Sequence, residues 1–382
     1  MYTSGKGSGG EYRRWWVLCA ITMLSRSVFA RNLMMSVTLA MLLFPTWSQA
    51  EGIIPAAMDR PALMSAKASQ STLLAVSRAG ARVVAAGERG IILLSDDHGA
   101  SWQQARVPVS ANLTALRFID DKRGWAVGHM GVVLHTTDGG LSWSKQLDGI
   151  QAGKLALEAV KDSGNKRAIK LANYLVSDGA DKPFFDVWMD ANGHGFVIGA
   201  FNLMFRTVDG GAHWQYWSPQ VDNRMGLHLY DMERVGDDFI IVGEQGLILR
   251  SQDGGEHFES LDSPYEGSWF GVIASKSGSL VAYGLRGNAY TSFDHGKSWQ
   301  SCDIQMPVSF VAATQLADGR IVLANQAGFL FASSDQGQSF QPLPTQSGTP
   351  ITSLVQTESS ELVVGSLRGM SRIQAALAVN NQ

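Results

Sequence analysis

Residues 124–143 read GWAVGHMGVVLHTTDGGLSW, and the pattern within this stretch decides the fold. Its last eight residues follow the form Ser or Thr, any residue, Asp, any residue, Gly, two further residues, then Trp or Phe. The form occurs six times, as SDDHGASW, TTDGGLSW, TVDGGAHW, SQDGGEHF, SFDHGKSW and SSDQGQSF. A motif that returns at a regular interval indicates a repeat architecture, because each copy is one structural unit that stacks on its neighbours.

The spacing of the motif identifies the unit. Its aspartates are Asp97, Asp138, Asp209, Asp253, Asp294 and Asp335. The intervals are 41, 71, 44, 41 and 41 residues, and about 40 residues suits one four-stranded β-propeller blade. Asp and Ser side chains hold tight turns, Gly supplies positive φ, and the closing aromatic residue buries a large area. The motif resembles the Asp-box, or BNR repeat, and we assign these aspartates a structural role.

A second turn precedes each Asp-box and completes the blade. It usually reads Gly-x-x-Gly, as in GERG, GHMG, GEQG and GLRG, and it leads from the second strand into the third. Residues 351–369 form a seventh unit that lacks the Asp-box, and we expect residues 62–69 to supply its missing outer strand. The sequence therefore predicts an all-β, seven-bladed propeller of four-stranded antiparallel blades over residues 51–382.

The first fifty residues have the composition of a leader. Arg31 precedes an apolar run over 33–44, and Ser48-Gln49-Ala50 is a small-x-small cleavage site, which predicts a secretory signal cleaved near Ala50. We interpret Met23 as the true start; a retained anchor over residues 15–23 is the alternative. The prediction places the mature protein in the periplasm.

Composition excludes several functions. Without residues 1–50 the chain has 26 basic and 33 acidic residues, a net charge of −7, which does not favour nucleic-acid binding. Cys302 is the sole cysteine after residue 50, and we expect it to be a buried core residue. The histidines are dispersed over different units, so we expect neither a metal site nor a cofactor.

The 71-residue interval contains an insertion at residues 151–180. Its apolar residues recur at helical spacing, so it predicts a helical hairpin between blades two and three. Two roles remain open: a tolerated surface insertion, or a docking element for a partner.

The Gly-x-x-Gly turns carry the candidate binding residues. In a four-stranded blade they open on the face opposite the Asp-boxes. Arg89, Arg286 and Arg368 occupy equivalent positions, and blades seven and one should be neighbours in a closed ring. The predicted partner-binding face comprises Arg89, Arg286, Arg368, Glu88, His129 and Gln245. Arginines at such positions can bind carboxylates in a bidentate manner; the alternative is that they are ordinary solvated turn residues.

Residues 83–102 and 124–143 carry a resemblance that extends over the whole mature chain. They resemble the photosystem II stability/assembly factor family, which implies a lumenal or periplasmic seven-bladed propeller that escorts a membrane protein and contacts it through an arginine patch. By position, Arg89, Arg286 and Arg368 match that patch. The insertion at 151–180 departs from the plant and cyanobacterial pattern, and some family members resemble accessory proteins of membrane exporters.

We therefore predict a non-enzymatic periplasmic scaffold for an integral membrane protein or complex, with no small-molecule substrate. The alternative is a secreted sialidase-like glycan hydrolase or carbohydrate-binding propeller. Sialidases need an arginine triad, a Tyr nucleophile and an Arg-Ile-Pro string, whereas the nearest string here is Asp59-Arg60-Pro61.

Overall fold

The computed structural model describes residues 56–344 and 348–373. Within them, 27 strands form seven antiparallel sheets, six of four strands and one of three, each with its strands in chain order. The inner strand of every sheet packs against the inner strands of its two neighbours, and the last sheet packs against the first. The seven-bladed propeller is therefore confirmed as a closed ring. The leader, with the predicted start at Met23 and cleavage near Ala50, lies outside the described residues.

The blades share one layout. Blades 1 to 3 comprise β1 Leu73–Ala79, β2 Arg82–Gly87, β3 Ile92–Ser95, β4 Gln103–Gln104; β5 Leu113–Phe118, β6 Gly124–Gly128, β7 Val133–Thr136, β8 Ser144–Leu147; and β9 Phe184–Met189, β10 Gly195–Gly199, β11 Met204–Thr207, β12 Gln215–Tyr216. Blades 4 and 5 comprise β13 Leu229–Val235, β14 Asp238–Gly243, β15 Ile248–Ser251, β16 Glu259–Ser260; and β17 Trp269–Ala274, β18 Leu280–Gly284, β19 Ala289–Ser292, β20 Gln300–Ser301. Blades 6 and 7 comprise β21 Phe310–Gln315, β22 Ile321–Asn325, β23 Leu330–Ser333, β24 Gln341–Pro342; and β25 Ile351–Gln356, β26 Leu362–Ser366, β27 Gly369–Ile373.

The apolar runs that predict strands form the packed layers between blades. The second strand of blades 2 to 7 is buried along its whole length, because neighbouring blades cover both of its faces. Trp125 and Trp188 are core residues, as expected, with 2% and 6% of their surface exposed. Cys302 is also buried, which raises the pKa of its thiol to about 12 and leaves it protonated at neutral pH.

The predicted outer strand of blade 7 is wrong. Residues 62–69 form no strand: residues 62–65 lie along blade 1, where Ala62 N–H donates to Val107 O at 3.0 Å, and the following 3-10 turn, Ala68–Gln70, contacts β27 without pairing with it. The Gln104 side chain holds the same segment, since its Oε1 accepts from Ser65 N at 2.9 Å and its Nε2 donates to Leu63 O at 2.9 Å. Ala62 is buried in the core shared by blades 1 and 2, so burial there outweighs pairing with β27.

Two helices confirm the predicted insertion. Helix α1 is Ala56–Asp59, and the insertion contains α2 Gly149–Val160 and α3 Lys166–Asp178. The Asp148 carboxylate caps α2 by accepting from Gln151 N, and the Asn165 side chain caps α3 by accepting from Ala168 N. Short 3-10 turns are Ala68–Gln70, Glu88–Gly90, His129–Gly131, Ala200–Asn202, Ser218–Gln220, Glu244–Gly246 and Leu285–Gly287. None of the helices in the described residues is long and apolar enough to cross a membrane.

Strand direction assigns each turn to a face. Because the strands of a blade alternate in direction, the turn between the third and fourth strands lies opposite the turn between the second and third. We call the side that carries the turns between the third and fourth strands the Asp-box face. We call the other the tip face, which carries the tip turns 87–90, 128–131, 199–202, 243–246, 284–287, 325–328 and 366–369. The connectors between blades, including α2 and α3, lie on the tip face, as the contact of Gly131 with Gly149 shows.

Candidate partner-binding face

The six Asp-boxes share one network of hydrogen bonds, and blade 6 shows it. Ser333 Oγ donates to Asp335 Oδ1 at 2.7 Å and accepts from Gly337 N at 2.8 Å. Ser339 then donates to the same carboxylate twice, from its N to Oδ1 at 3.0 Å and from its Oγ to Oδ2 at 2.6 Å. Both carboxylate oxygens of the aspartate therefore accept hydrogen bonds from within its own turn.

The Asp-box carboxylates are held ionised. In blade 3 the His213 backbone N–H, 2.9 Å from Asp209 Oδ1, is the main cause that lowers the pKa of Asp209 to about 2. In blade 6, burial opposes ionisation, but the hydrogen bonds from Ser339 outweigh it and lower the pKa of Asp335. These aspartates are charged at every physiological pH, yet their charge is directed into their own turns.

The tip turns satisfy their backbone groups differently. The third residue of the turn has a left-handed conformation in blades 1 to 5, at Arg89, Met130, Phe201, Gln245 and Arg286. In four of these turns its N–H donates to a side chain that precedes the next inner strand. These bonds join Arg89 N to Asn112 Oδ1 at 2.9 Å, Phe201 N to His228 Nδ1 at 3.0 Å, Gln245 N to Ser268 Oγ at 3.3 Å, and Arg286 N to Ser309 Oγ at 3.1 Å. Each of these turns is thus fixed to the next blade through its backbone, and the tip side chain is left free.

The three predicted arginines lie on this face and are exposed. Arg368 and Arg89 occupy the tips of neighbouring blades 7 and 1, which are joined where Thr72 Oγ1 donates to Leu367 O at 3.4 Å. Arg286 lies on blade 5, separated from Arg368 by blade 6. Within the part of the chain that the structure describes, none of these guanidinium groups has an ion pair or a side-chain hydrogen bond.

The other three predicted residues divide by role. His129 and Gln245 are exposed at the tips of blades 2 and 4. Glu88 is half-buried, and its Oε1 accepts from Thr72 N at 3.1 Å, so it fixes its own turn against the connector into blade 1. The carboxylate of Glu88 is therefore engaged within the fold, unlike the arginine beside it.

The channel side of the ring holds a group of acids that sequence reasoning missed. The inner strand of each blade is a sheet edge, and side chains from the preceding blade bind its free amides. Asp186 Oδ2 accepts from Met232 N at 3.0 Å, and Asp231 Oδ2 accepts from Val272 N at 2.9 Å. Burial raises the pKa of Asp186 and Asp231, and the neighbouring charge of Asp186 adds to the rise at Asp231. Burial likewise raises the pKa of Glu233 to about 7, against the attraction of nearby Arg117.

Sequence reasoning also missed a groove of about 540 Å³ on the tip face, between α3 and blades 3 and 4. The sequence signal was the tip of blade 3, where Phe201 stands at the position that Arg89 holds in blade 1. The described residues contain no group of three or more His, Cys, Asp or Glu residues suited to hold a metal ion.

A closed ring with Asp-box turns on one face and exposed arginines on the other defines an Asp-box β-propeller whose free polar side chains lie at the tips. Residues 94–170 and 172–366 match the family model of the photosynthesis system II assembly factor YCF48. The chain belongs to this family, because the match covers most of its length.

Individual relatives are more distant. The photosystem II assembly lipoprotein Ycf48 of Synechococcus sp. (strain CC9902) is 33% identical over 76 residues, which are 20% of this chain and 23% of that relative. A solved structure of YCF48 bound to D1 peptide has 19% identity and a TM-score of 0.57, covering 81% of this chain and 97% of that one. The GH74 enzyme of Niastella koreensis has 14% identity and a TM-score of 0.59, covering 81% and 53%. At these identities the solved structures show the fold alone.

Proposed function

We propose that this protein is a non-enzymatic scaffold in the periplasm that binds an integral membrane protein or complex through its tip face. The observation that carries the proposal is the set of exposed guanidinium groups of Arg89, Arg286 and Arg368 on one face of a rigid ring. Unpaired arginines on fixed turns are suited to bind carboxylates of a partner, because the planar group donates two parallel hydrogen bonds.

Family membership supports this role. One YCF48 structure holds a D1 peptide, and the Synechococcus relative is a photosystem II assembly lipoprotein. Both descriptions concern those proteins, and they support a membrane-protein partner and a place outside the cytoplasm for this one. Since the predicted leader reads as a general secretory signal, we propose a membrane exporter rather than a photosystem as the client.

The channel acids argue against the glycan hydrolase alternative. Glycosidases hold two carboxyl groups about 5 to 9 Å apart so that a sugar and a water molecule fit between them. Asp186 and Asp231 instead each accept a hydrogen bond from a backbone amide of the next blade. These two carboxylates therefore connect neighbouring blades.

Charge reversal tests the proposal. The triple variant Arg89→Glu, Arg286→Glu, Arg368→Glu should recover at least about tenfold less membrane partner from detergent-solubilised membranes, because like charges would then face the partner's carboxylates. The matched control is Lys122→Glu, Lys276→Glu, Lys297→Glu, which makes the same charge change at exposed residues of the Asp-box face. Equal recovery of every membrane protein by the wild type and the arginine variant would refute the arginine contact.

A further inference from the structure

The groove on the tip face is apolar on two opposing walls. One wall is α3, from which Arg167, Leu171 and Tyr174 project at helical spacing along one side. The other wall is formed by Phe201 at the tip of blade 3 and Met225 in the connector to blade 4. The groove has the size range of pockets that enclose one or two large side chains.

Its apolar residues are unusually exposed. Leu171, Tyr174, Phe201 and Met225 show 47%, 50%, 62% and 74% of their surface to solvent. Isolated exposed apolar residues are normal on a protein surface, but several that line one concavity mark an interaction site. The backbone of Phe201 is also strained, because its φ of 54° is one that bulky side chains rarely adopt.

The walls are also held in place. Asn223 is buried and its Nδ2 donates to Asn202 Oδ1 at 3.1 Å and to Leu227 O at 2.8 Å, which ties the connector to the tip turn. Phe201 N donates to His228 Nδ1 at 3.0 Å. An Arg167 guanidinium nitrogen donates to Arg224 O and bridges the two walls. A partner would meet a preformed surface, so little ordering entropy opposes binding.

The charge of the groove selects its partner. Of the charged residues that line the groove, Arg167, Lys182 and Arg224 are basic and Asp178 is acidic, and Lys182 pairs with Asp178 at 3.0 Å. Arg167 stands in the first turn of α3, where cations oppose the helix dipole and no acid compensates them. These basic residues stand out in a chain whose net charge after residue 50 is −7. A basic wall beside exposed apolar residues is complementary to a segment that carries both carboxylates and bulky apolar side chains.

We propose that this groove is a second docking site, for a peptide segment of the client in which one or two bulky apolar side chains are flanked by Asp or Glu. The inference rests on the proposed function, because the groove opens on the same face of the ring as the arginine turns. Of the two roles left open for the insertion at 151–180, the proposal favours the docking element. The apolar side chains would contact Phe201 and Met225, and the carboxylates would contact Arg167.

The test uses the purified protein and a fluorescein-labelled, end-capped peptide in which Leu and Phe alternate with Glu. Fluorescence polarisation should show saturable binding of this peptide. It should be at least about tenfold weaker for a matched peptide with Lys in place of Glu and for one with Ser in place of Leu and Phe. Absence of saturable binding, or equal binding of all three peptides, would overturn the proposal.

Two substitutions probe the walls with matched controls. Phe201→Asn suits the left-handed turn, and Arg167→Glu puts an acid in the first turn of α3, so each element should keep its backbone conformation, although Arg167→Glu also removes the bond to Arg224 O. Each should weaken the acidic peptide by about tenfold. Two controls should leave peptide binding unchanged. They are Leu141→Ser, at a residue that is 48% exposed on the Asp-box face, and Lys154→Glu, at an exposed residue of α2. If either control weakens binding as much, the groove is not the site.

Further measurements separate the alternatives. If Phe201→Asn lowers the thermal stability, Met225→Ser, in an exposed loop, is used in its place and should weaken binding of the acidic peptide in the same way. A dimer in sedimentation that Met225→Ser dissolves would assign the groove to a second copy and overturn the proposal. If the arginine variant recovers its membrane partner normally while Phe201→Asn loses the peptide, the groove stands and the arginine contact fails. If the arginine variant loses its membrane partner while Phe201→Asn binds the peptide like the wild type, the groove proposal fails and the arginine contact stands.

Discussion

The two faces of the ring use their turns in opposite ways. On the Asp-box face the aspartate carboxylate of each turn is hydrogen-bonded within that turn, as the four hydrogen bonds around Ser333 and Asp335 show. On the tip face the backbone is fixed to the next blade and the side chain is left free, as at Arg89 and Arg286. The same repeat thus carries internally bonded turns on one face and exposed side chains on the other, and under the proposed function substitutions on the two faces should affect different properties.

The largest stability effect should come from the Asp-box face. Asp335→Ala removes a charged acceptor of three hydrogen bonds, so the free energy of unfolding should fall by about 1 to 3 kcal/mol. Arg286→Ala, its counterpart on the tip face, should change it by less than about 0.5 kcal/mol. Urea denaturation measures both, and a comparable loss for the arginine variant would break the division between the faces.

An intermediate effect should come from the channel between the faces. Because burial raises the pKa of Glu233 from 4.5 to about 7, the folded state binds a proton that the unfolded state has released across that range. The wild type should therefore lose stability as the pH rises from 4.5 to 7, by at most about 3 kcal/mol. Glu233→Gln should flatten this part of the pH profile of thermal unfolding. An unchanged slope would show that Glu233 is ionised in the folded protein.

The smallest effect should appear in acid. The pKa of Asp209 is lowered from 3.8 to about 2, so its stabilising contribution is complete above pH 3.8 and is lost as the pH falls towards 2. Its carboxylate is 37% exposed, and solvent screening limits the contribution to about 0.5 kcal/mol. Asp209→Asn should therefore unfold at slightly higher pH, in a range where Arg89→Ala has no effect. Acid titration followed by circular dichroism would show identical curves if the Asp-box charge were unimportant.

Much of this architecture could be predicted from the sequence, because each repeat carries its own local signals. The Asp-boxes specify a turn through residues within eight positions of one another, and the insertion carries its own helix caps at Asp148 and Asn165. Those interactions depend on neighbours in the chain, so the pattern alone reveals them. The positions of the arginines on one face followed from strand alternation.

Features that depend on distant residues could not be predicted. The segment 62–69 was assigned to blade 7, but the core beneath blade 1 offered Ala62 a buried site that no local pattern records. The groove combines α3, the tip of blade 3 and a connector, and the channel acids come from different blades. Their chemistry arises when the ring brings these segments together.

The junction between blades 7 and 1 has a consequence for how the protein is made. Arg78 and Glu358 form a 2.6 Å ion pair across it, and they lie 280 positions apart in the chain. Blade 1 leaves the ribosome first, yet one side of its inner strand, where Leu73 is fully buried in the finished ring, has no cover until blade 7 has been synthesised. Such distant pairing is slow to form and leaves apolar surface open to aggregation. The nascent chain therefore passes through its most vulnerable stage while nearly complete, and a chaperone that shields its first blade would protect it longest.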